Sequence, residues 1–339
     1  MVRISVIGAG SWGSALAELA SRCGHEVSLW AHDPKVAEAI LQTRSNPFYL
    51  PGVEFSPRVR VTNSIEEAAV FCDLIMMVTP SHCYRDVLSQ LEPHLHGGVR
   101  VISATKGIEN ETLLRISQIT AEVLGEKTGA FATLSGPTFA LELSRQDPTA
   151  AVIASTSEAF ATEMQKALSH RFFRLYRSDD VTGVEFGGSL KNVIAIASGV
   201  IEGIGFGSNT TAALITRGLH EIRRLGIALG GRPETFAGLA GLGDLVLTCT
   251  GALSRNRAVG IDLGQGKSLE QILARTRTVA EGVKTSRSAH HLAESHGIEM
   301  PIIGEMYRVL YDHESPRDAI NRLMTRALKS EVEHLDVNS

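Results

Sequence analysis

The sequence has few cysteines, little net charge and no long apolar run. Its four cysteines are scattered, without the Cys-x-x-Cys spacing of a zinc site or the density of a disulfide framework, so we expect no metal and a reducing, cytoplasmic environment. No stretch reaches the ~18 consecutive apolar residues of a membrane span, and the first residues lack the pattern of a secretion signal. A formal net charge of −4 provides no basic field for nucleic acid. These absences argue against zinc proteins, secreted disulfide scaffolds, integral membrane proteins and nucleic-acid binders.

What the sequence does contain is an alternation of short β-rich runs and helical segments over its first half. With 339 residues, the chain is long enough for about two domains. Several β-rich runs are apolar at consecutive positions, which is typical of parallel strands covered by helices on both faces. The alternation predicts a doubly wound, Rossmann-like α/β domain over residues 1–179. The predicted strands cover residues 3–7, 26–30, 74–78, 99–103, 130–134, 150–154 and 172–176.

The second half of the chain has a different composition pattern. From about residue 180, β-rich runs nearly vanish and glycines separate successive helical segments. The sequence therefore predicts an all-α C-terminal domain over residues 180–339. Its predicted helices cover residues 183–203, 208–229, 254–263, 281–296, 301–312 and 315–330.

A glycine-rich turn, Gly8-Ala9-Gly10-Ser11-Trp12-Gly13, follows the first predicted strand directly and opens a helix. A second strand comes next, and this context matches the dinucleotide-binding GxGxxG fingerprint. In that motif Gly8 forms the tight turn, Gly10 lets the backbone approach a pyrophosphate, and Gly13 lets helix and strand pack closely. We expect NAD(H) or NADP(H) at this turn, because free N–H groups at the helix start favour an anion. The alternative is a turn that uses glycine for steric reasons alone.

The end of the second strand usually reports which dinucleotide is bound. An acidic residue there binds the adenosine ribose diol and disfavours a 2′-phosphate. Here the strand is followed by His32 and Asp33. His32 suits a phosphate and Asp33 suits a diol, so the residues leave NAD and NADP both open.

Further motifs follow later predicted strands, among them a segment that ends in Lys106-Gly107 and another that begins Ser135-Gly136. If the sheet is parallel, these loops share an edge with the glycine turn. Lys106 then directs a cation into the crevice. The alternative for Lys106 is a solvated surface lysine.

The helix predicted over residues 183–203 is apolar around nearly its whole circumference. Between Phe186 and Ile201 it carries a single charge, Lys191. Such a helix is buried on all sides, and Gly187 and Gly188 indicate close backbone packing, because each lowers helix stability by ~1 kcal/mol relative to alanine. A buried lysine has a lowered pKa and is a competent general acid near neutral pH. The alternative is that Lys191 extends its amine to solvent.

Two segments later in the chain carry candidate residues for pairing with Lys191 and for binding a phosphate. Asp244 and Thr248 share one face if their segment is helical, and Asp244 would then pair with Lys191; the alternative is a helix N-cap. Ser254-Arg255-Asn256-Arg257 precedes a helical run, and a helix N-terminus with these side chains is a natural phosphate site. The alternative is a capped helix with surface arginines.

Together these segments resemble the bacterial type of the NAD(P)-dependent glycerol-3-phosphate dehydrogenase family. The resemblance spans nearly the whole chain, and Trp12 alone stands where relatives often have another aromatic residue. Besides the glycine turn, its motifs are Asn46-Pro47-Phe48-Tyr49-Leu50-Pro51, Ala104-Thr105-Lys106-Gly107, Ser135-Gly136-Pro137-Thr138-Phe139-Ala140, Leu190-Lys191-Asn192-Val193-Ile194-Ala195, Gly241-Leu242-Gly243-Asp244-Leu245, Ser254-Arg255-Asn256-Arg257 and Val279-Ala280-Glu281-Gly282.

The resemblance implies reduction of dihydroxyacetone phosphate to sn-glycerol 3-phosphate, a precursor of membrane phospholipids. It implies that Lys191 is the catalytic acid/base and that Lys106 contacts the substrate beside the nicotinamide. Asp244 and Asn192 resemble the groups that hold Lys191 and the substrate. The implied substrate contacts also include Gly136, Thr138, Thr248, Ser254, Arg255 and Asn256. The implied cofactor contacts, besides the glycines, are Ser11, Trp12, His32, Lys106, Ala140, Arg255, Val279 and Glu281. Bacterial members commonly use NADPH, which favours NADP over NAD.

Two other interpretations remain open on the residues alone. One is a related two-domain reductase of a 2-oxo or 3-hydroxy acid, against which the 254–257 motif argues. The other is a nicotinamide-nucleotide sensor without chemistry, against which the presence of Lys191, Asp244, Lys106 and Arg255 argues. The expected partners are a phosphorylated triose and, because related enzymes are commonly dimers, a second copy of the chain.

Overall fold

The computed structural model describes residues 1–275 and 280–331, and in this part of the chain all ten strands lie before residue 179. Eight strands form one sheet in the order β10-β9-β8-β7-β6-β1-β2-β5, and β3 pairs with β4 in a separate hairpin. The strands are β1 (Arg3–Ile7), β2 (Glu26–Trp30), β3 (Ser45–Asn46), β4 (Leu50–Glu54), β5 (Val59–Thr62), β6 (Leu74–Met77), β7 (Val99–Ser103), β8 (Thr128–Ser135), β9 (Thr149–Ala154) and β10 (Phe173–Ser178).

Helices cover the sheet and then build the second half of the described chain. Seven of them alternate with the strands: α1 (Ser11–Arg22), α2 (Pro34–Thr43), α3 (Ile65–Phe71), α4 (Tyr84–Leu91), α5 (Ile116–Leu124), α6 (Ala140–Ser144) and α7 (Glu158–Leu168). The others follow β10: α8 (Val181–Ile204), α9 (Ser208–Ala228), α10 (Pro233–Phe236), α11 (Asp244–Thr250), α12 (Arg255–Gly264), α13 (Leu269–Arg275), α14 (Glu281–Ser295), α15 (Pro301–Tyr311) and α16 (Pro316–Met324). The predicted fold class, a Rossmann-like α/β part followed by a helical part, is confirmed.

The sheet departs from the expected parallel arrangement at one end. β9 runs antiparallel to β8, and β10 is parallel to β9, so the last two strands oppose the other six. The connection from β8 to β9 contains only α6, a helix of 5 residues. At 1.5 Å per residue, such a helix is about 7.5 Å long and does not carry the chain back along the sheet. The next strand therefore returns in the opposite direction.

Several short elements were missed by the sequence patterns. β3, β4 and β5 have two to five residues, and α10, α11 and α13 have four to seven. Elements of this length are too short for hydrophobic periodicity to reveal. The helix predicted over residues 315–330 was too long, because α16 ends at Met324.

The order of the strands creates a crevice at one edge of the sheet. β1 lies between β2 and β6, and the chain reaches β2 and β5 on one side before it crosses to β6 on the other. Such a change of direction opens a ligand-binding crevice at the carboxyl ends of the strands. The loops after β1, β6, β7 and β8 all reach this edge, because these four strands are parallel.

Helix α8 forms the core of the second half. It is long and apolar enough to cross a membrane, but its apolar stretch is entirely buried within the protein. It packs on α12 with almost no space between the two backbones. A Cβ added at Gly199 would lie 2.0 Å from the Arg257 carbonyl oxygen, and one added at Gly260 would lie 1.9 Å from the Ile196 carbonyl oxygen. Glycine is therefore required on both helices at this contact.

The Gly199→Ala variant tests this contact. The new methyl group overlaps a backbone carbonyl that has no rotamer to change, so α8 and α12 must separate. We expect the free energy of unfolding to fall by about 1–3 kcal/mol, as for other overpacked cores. Urea denaturation measures it. The matched control is Gly304→Ala in α15, where no heavy atom lies within 4 Å of the added Cβ. In Gly304→Ala the free energy of unfolding should rise by ~1 kcal/mol, because alanine has the higher helix propensity. A decrease in the free energy of unfolding similar to that of Gly199→Ala would contradict the packing argument.

Candidate active site

Two of the three glycines in the glycine turn are required for steric reasons. Gly8 has a φ of 122°, and a Cβ there would lie 2.8 Å from the Val78 carbonyl oxygen. A Cβ at Gly13 would lie 1.8 Å from the Gly8 carbonyl oxygen, so α1 contacts the turn directly. Gly10 differs, because nothing lies within 4 Å of its added Cβ. Gly8 and Gly13 are thus needed for packing, while Gly10 faces open space.

The surroundings of Gly10 fit the pyrophosphate of a dinucleotide. Gly10 occupies the N-cap position of α1, and no side chain caps this helix end. Free N–H groups and the helix dipole at such an end favour an anion. The indole Nε1 of Trp12, in the first turn of α1, is buried and has no hydrogen-bond partner among the described residues. An unpaired buried donor is unfavourable, so this turn has the donors that a bound anionic group would use.

Lys191 lies in the middle of α8, and only 6% of it is exposed. Its Nζ donates to Oδ1 of Asp244 and to Oγ1 of Thr248, the latter at 2.7 Å. Asp244 is the first residue of α11, and Thr248 follows one turn later on the same face. The structure thus contradicts the alternative of a solvent-exposed Lys191. The Asp244 carboxylate faces the lysine rather than capping its own helix.

Lys106 reaches the same carboxylate from the other half of the chain. It follows β7, and its Nζ donates to Oδ2 of Asp244 at 2.6 Å and to the carbonyl oxygen of Gly136 at 3.4 Å. Asp244 therefore accepts one ammonium group on each oxygen. Gly136 itself has a φ of 150°, and Thr138 Oγ1 also donates to its carbonyl, at 3.2 Å. Lys106 is not a solvated surface lysine.

Burial lowers the pKa of Lys191 to about 8, and the positive charge of Lys106 acts in the same direction. The Asp244 carboxylate opposes this shift without cancelling it. An amine with a pKa near 8 is largely protonated at pH 7 and can also release its proton. This is the requirement for a group that acts as a general acid in one direction and a general base in the other.

Two glycines of α8 let neighbouring segments pack closely against the helix beside the lysine. A Cβ at Gly187 would lie 2.6 Å from the Ala240 carbonyl oxygen, and one at Gly188 would lie 2.5 Å from Oγ of Ser135. The predicted close backbone packing at these two glycines is confirmed. Because of it, the end of β8 lies directly against the helix that carries Lys191.

A chain of amides links three helices beside Lys191. Asn256 Nδ2 donates to Asn192 Oδ1 at 3.0 Å, and the backbone N–H of Gly282 donates to Asn256 Oδ1 at 2.9 Å. A backbone N–H only donates, so it fixes the orientation of both amides. The amide nitrogen of Asn192 is therefore directed away from Asn256 as a hydrogen-bond donor. No pattern in the sequence indicated this role of the Gly282 N–H.

The start of α12 combines a cap with a free cation. Ser254 Oγ accepts the N–H of Arg257 at 3.2 Å and caps the helix. Arg255 is exposed and forms no hydrogen bond or ion pair with any described residue. Glu281, the first residue of α14, lies near enough to Arg255 to feel its charge. Burial raises the pKa of the Glu281 carboxyl to about 7, although the positive charges of Arg255 and Lys106 act to lower this pKa. The helix is capped, as the alternative foresaw, and Arg255 is still available to an anion.

The remaining predicted cofactor contacts lie around the glycine turn or outside the described residues. His32 is exposed after β2, with its ring centroid 5.7 Å from that of Trp30. Asp33 caps α2, since its carboxylate accepts the Lys35 N–H at 2.9 Å. Ser11 Oγ donates to the Tyr49 carbonyl oxygen, and Ala140 begins α6. Val279 lies outside the described residues.

Comparison with known proteins gives one consistent result over nearly the whole chain. Residues 3–161 match the family described as NAD-dependent glycerol-3-phosphate dehydrogenase N-terminus, and residues 180–321 match its C-terminus. The chain is 52% identical to the glycerol-3-phosphate dehydrogenase (NAD(P)+) of Citrifermentans bemidjiense, over 97% of this chain and 98% of the relative. It is 53% identical to that of Geobacter sulfurreducens, with the same coverage. The crystal structure of glycerol-3-phosphate dehydrogenase from Coxiella burnetii superposes with a TM-score of 0.92 at 36% identity, over 96% of this chain and 99% of that one.

Proposed function

Since this chain belongs to the NAD-dependent glycerol-3-phosphate dehydrogenase family, we propose that it reduces dihydroxyacetone phosphate to sn-glycerol 3-phosphate with NAD(P)H. One observation carries this proposal. Asp244 holds two lysines, Lys191 and Lys106, at the sheet edge where the glycine turn also lies. Reduction of a ketone needs a proton donor beside the cofactor, and this cluster supplies one.

In the proposed reaction the chain positions the ketone and donates a proton. When bound, the nicotinamide supplies a hydride to the carbonyl carbon. The Lys191 ammonium gives its proton to the carbonyl oxygen, so the C=O bond becomes CH–OH and the amine is left neutral. Asp244 and Thr248 hold the amine in place, and Lys106 places a second positive charge near the developing alkoxide.

The phosphate of the substrate lies away from the reacting carbon and serves to position it. Arg255 is the unpaired cation at the start of α12, where free N–H groups add to the attraction for an anion. Binding energy gained there orients the ketone without taking part in the chemistry. Asn256 lies next to Arg255, but its amide already bonds Asn192 and Gly282. We therefore assign the main phosphate contact to Arg255.

A single assay tests the proposed function. Oxidation of NADPH and of NADH is followed at 340 nm with dihydroxyacetone phosphate, in parallel with a panel of 2-oxo acids. We expect turnover with the triose phosphate and little with the acids. Preference for a 2-oxo acid would assign the chain to the related reductases instead, and cofactor binding without turnover of any substrate would favour the sensor.

Replacing Arg255 by alanine is expected to raise KM for dihydroxyacetone phosphate by about 10–100-fold, because charged hydrogen bonds to the phosphate are lost. Initial rates at saturating cofactor measure it. Arg257→Ala is the matched control: this arginine lies on the same helix but pairs with Glu202, so KM should change less than about threefold. Equal effects of the two variants would remove Arg255 from the phosphate site.

NADPH as the preferred cofactor, a homodimer and a cytoplasmic location complete the proposal. Support for NADPH comes from Asp33, because one of its oxygens already caps α2 while the nearby His32 imidazole is exposed. Under this proposal, the ratio of kcat/KM for NADPH over kcat/KM for NADH exceeds one, and this ratio falls in the His32→Ala variant.

The proposed homodimer is tested by light scattering coupled to size-exclusion chromatography.

A further inference from the structure

Asn46, on β3, is completely buried against the glycine turn. Its Nδ2 donates to the Ala9 carbonyl oxygen at 2.8 Å and to Ser14 Oγ at 2.9 Å. Its Oδ1 accepts the backbone N–H groups of Phe48 at 3.3 Å and Tyr49 at 3.1 Å. The side chain therefore bridges the hairpin formed by β3 and β4 to the turn between β1 and α1.

The chemistry of these partners fixes the orientation of the Asn46 amide. The N–H groups of Phe48 and Tyr49 only donate, and the carbonyl of Ala9 only accepts. Rotating the amide by 180° would place oxygen against oxygen and N–H against N–H. Both hydrogens and both lone pairs are used as they stand, so Asn46 always presents a donor to Ala9.

The Ala9 carbonyl and the Gly10 N–H belong to the same peptide group. In a trans peptide these two groups point in opposite directions. Because Asn46 holds the Ala9 carbonyl on its inner side, the Gly10 N–H is directed to the opposite side. That N–H has no hydrogen-bond partner among the described residues. The Cα of the same residue also borders open space, because nothing lies within 4 Å of a Cβ added at Gly10.

We propose that Asn46 is a positioning residue that sets the direction of the Ala9–Gly10 peptide, so that a dinucleotide pyrophosphate meets the Gly10 N–H instead of the Ala9 carbonyl oxygen. Glycine offers little resistance to rotation of this peptide, because it lacks a Cβ. A reversed peptide would present a carbonyl oxygen to an anion. The inference rests on the dinucleotide binding that belongs to the proposed function.

Two substitutions at Asn46 test this role. Asn46→Ala removes the donor without adding charge, and Asn46→Asp keeps the shape but places a carboxylate oxygen against the Ala9 carbonyl. We expect the Kd for NADP+, measured by calorimetry, to rise by about 10-fold in Asn46→Ala and by about 10–100-fold in Asn46→Asp. At saturating cofactor, KM for dihydroxyacetone phosphate should stay within about twofold of the original value.

A pH profile separates positioning from simple loss of stability. Complete burial beside a carbonyl oxygen raises the pKa of an aspartic acid at this position above its ordinary value. The protonated acid again has a donor for the Ala9 carbonyl, so the Kd of Asn46→Asp relative to the unmodified protein should improve between pH 8 and pH 5, while that of Asn46→Ala should not. Because each ratio uses the unmodified protein at the same pH, titration of neighbouring groups and of the cofactor cancels.

Ser5→Ala is the matched control. Ser5 is fully buried on β1, and its hydroxyl donates to the Ala68 carbonyl oxygen at 2.6 Å, away from the turn. This variant should lose stability without a change in Kd. Unchanged Kd in Asn46→Ala, or a Kd raised in Ser5→Ala as much as in Asn46→Ala, would overturn the proposal. The titrations use no triose phosphate, so failure to reduce it would count against the proposed function and not against the role of Asn46.

Discussion

Replacing Lys191 by methionine is expected to lower kcat for reduction of dihydroxyacetone phosphate by about 10²–10⁴-fold, the usual contribution of a positioned general acid. Methionine keeps the length and apolar character of the buried stem, so the packing of α8 is preserved. Asp244 also keeps a partner, because Lys106 Nζ lies 2.6 Å from its Oδ2. The buried carboxylate is then not left uncompensated, which would otherwise destabilise the fold strongly.

Steady-state rates and calorimetry with NADPH together check this prediction. Cofactor affinity should stay within about threefold of the original, because Lys191 lies on α8 and not on the glycine turn. In a Lys191→Ala variant, a small primary amine added to the buffer should restore part of the activity, since it supplies the missing acid. Near-normal kcat in Lys191→Met would falsify the assignment of this lysine as the proton donor.

Replacing Asp244 by asparagine is expected to move the pH dependence of the reaction. In the unmodified protein, burial lowers the pKa of Lys191 to about 8, so reduction, which needs the ammonium form, should decline as the pH rises through about 8. Asparagine removes the carboxylate that keeps this pKa from falling further, and the positive charge of Lys106 remains. The decline should therefore move about 1–3 pH units lower.

The effect on rate follows from the fraction of protonated amine. If the decline moves from pH 8 to pH 6, only ~10% of the amine is protonated at pH 7, and reduction at pH 7 falls by about tenfold before any loss of orientation. Part of this activity should return at pH 5.5. Full pH profiles of kcat in the direction of reduction measure the shift.

Asp180→Asn is the matched control for Asp244→Asn. Asp180 is another buried acid that contacts α8: its carboxylate accepts the N–H of Gly183 at 2.8 Å and caps the helix. Its replacement should lower stability and leave the pH dependence near 8. If the pH profile of kcat for Asp244→Asn still declines near pH 8, then the Asp244 carboxylate does not control the charge of Lys191.

The sequence by itself determined the features that depend on local pattern. The strand, the glycine turn and the helix from Arg3 to Arg22 are adjacent in the chain, and the steric reason for Gly13, its contact with the Gly8 carbonyl oxygen, lies within the motif itself. The single charge in an otherwise apolar α8 likewise identified Lys191 as a buried amine. Such conclusions need only the spacing of residues along one element.

The tertiary structure decided which polar groups meet. Lys106 and Asp244 are 138 residues apart and Lys191 and Asp244 are 53 apart, and periodicity shows which face of a helix is buried but not what lies against it. One carboxylate contacts two lysines because the loop after β7, α8 and the start of α11 meet at one place. Asn46 is the same case: its segment was one of the motifs that carry the family resemblance, but only the packing of the β3–β4 hairpin on the glycine turn directs its amide at Ala9.

The direction of β9 was also decided by tertiary structure, because consecutive apolar residues suit a strand of either direction in a covered sheet. The sequence left NAD and NADP both open at His32 and Asp33, and the fold gives Asp33 a role that neither interpretation included, since its carboxylate caps α2. A buried or capping polar group takes its role from the neighbour that satisfies its hydrogen bonds. That neighbour is known only once the elements have packed.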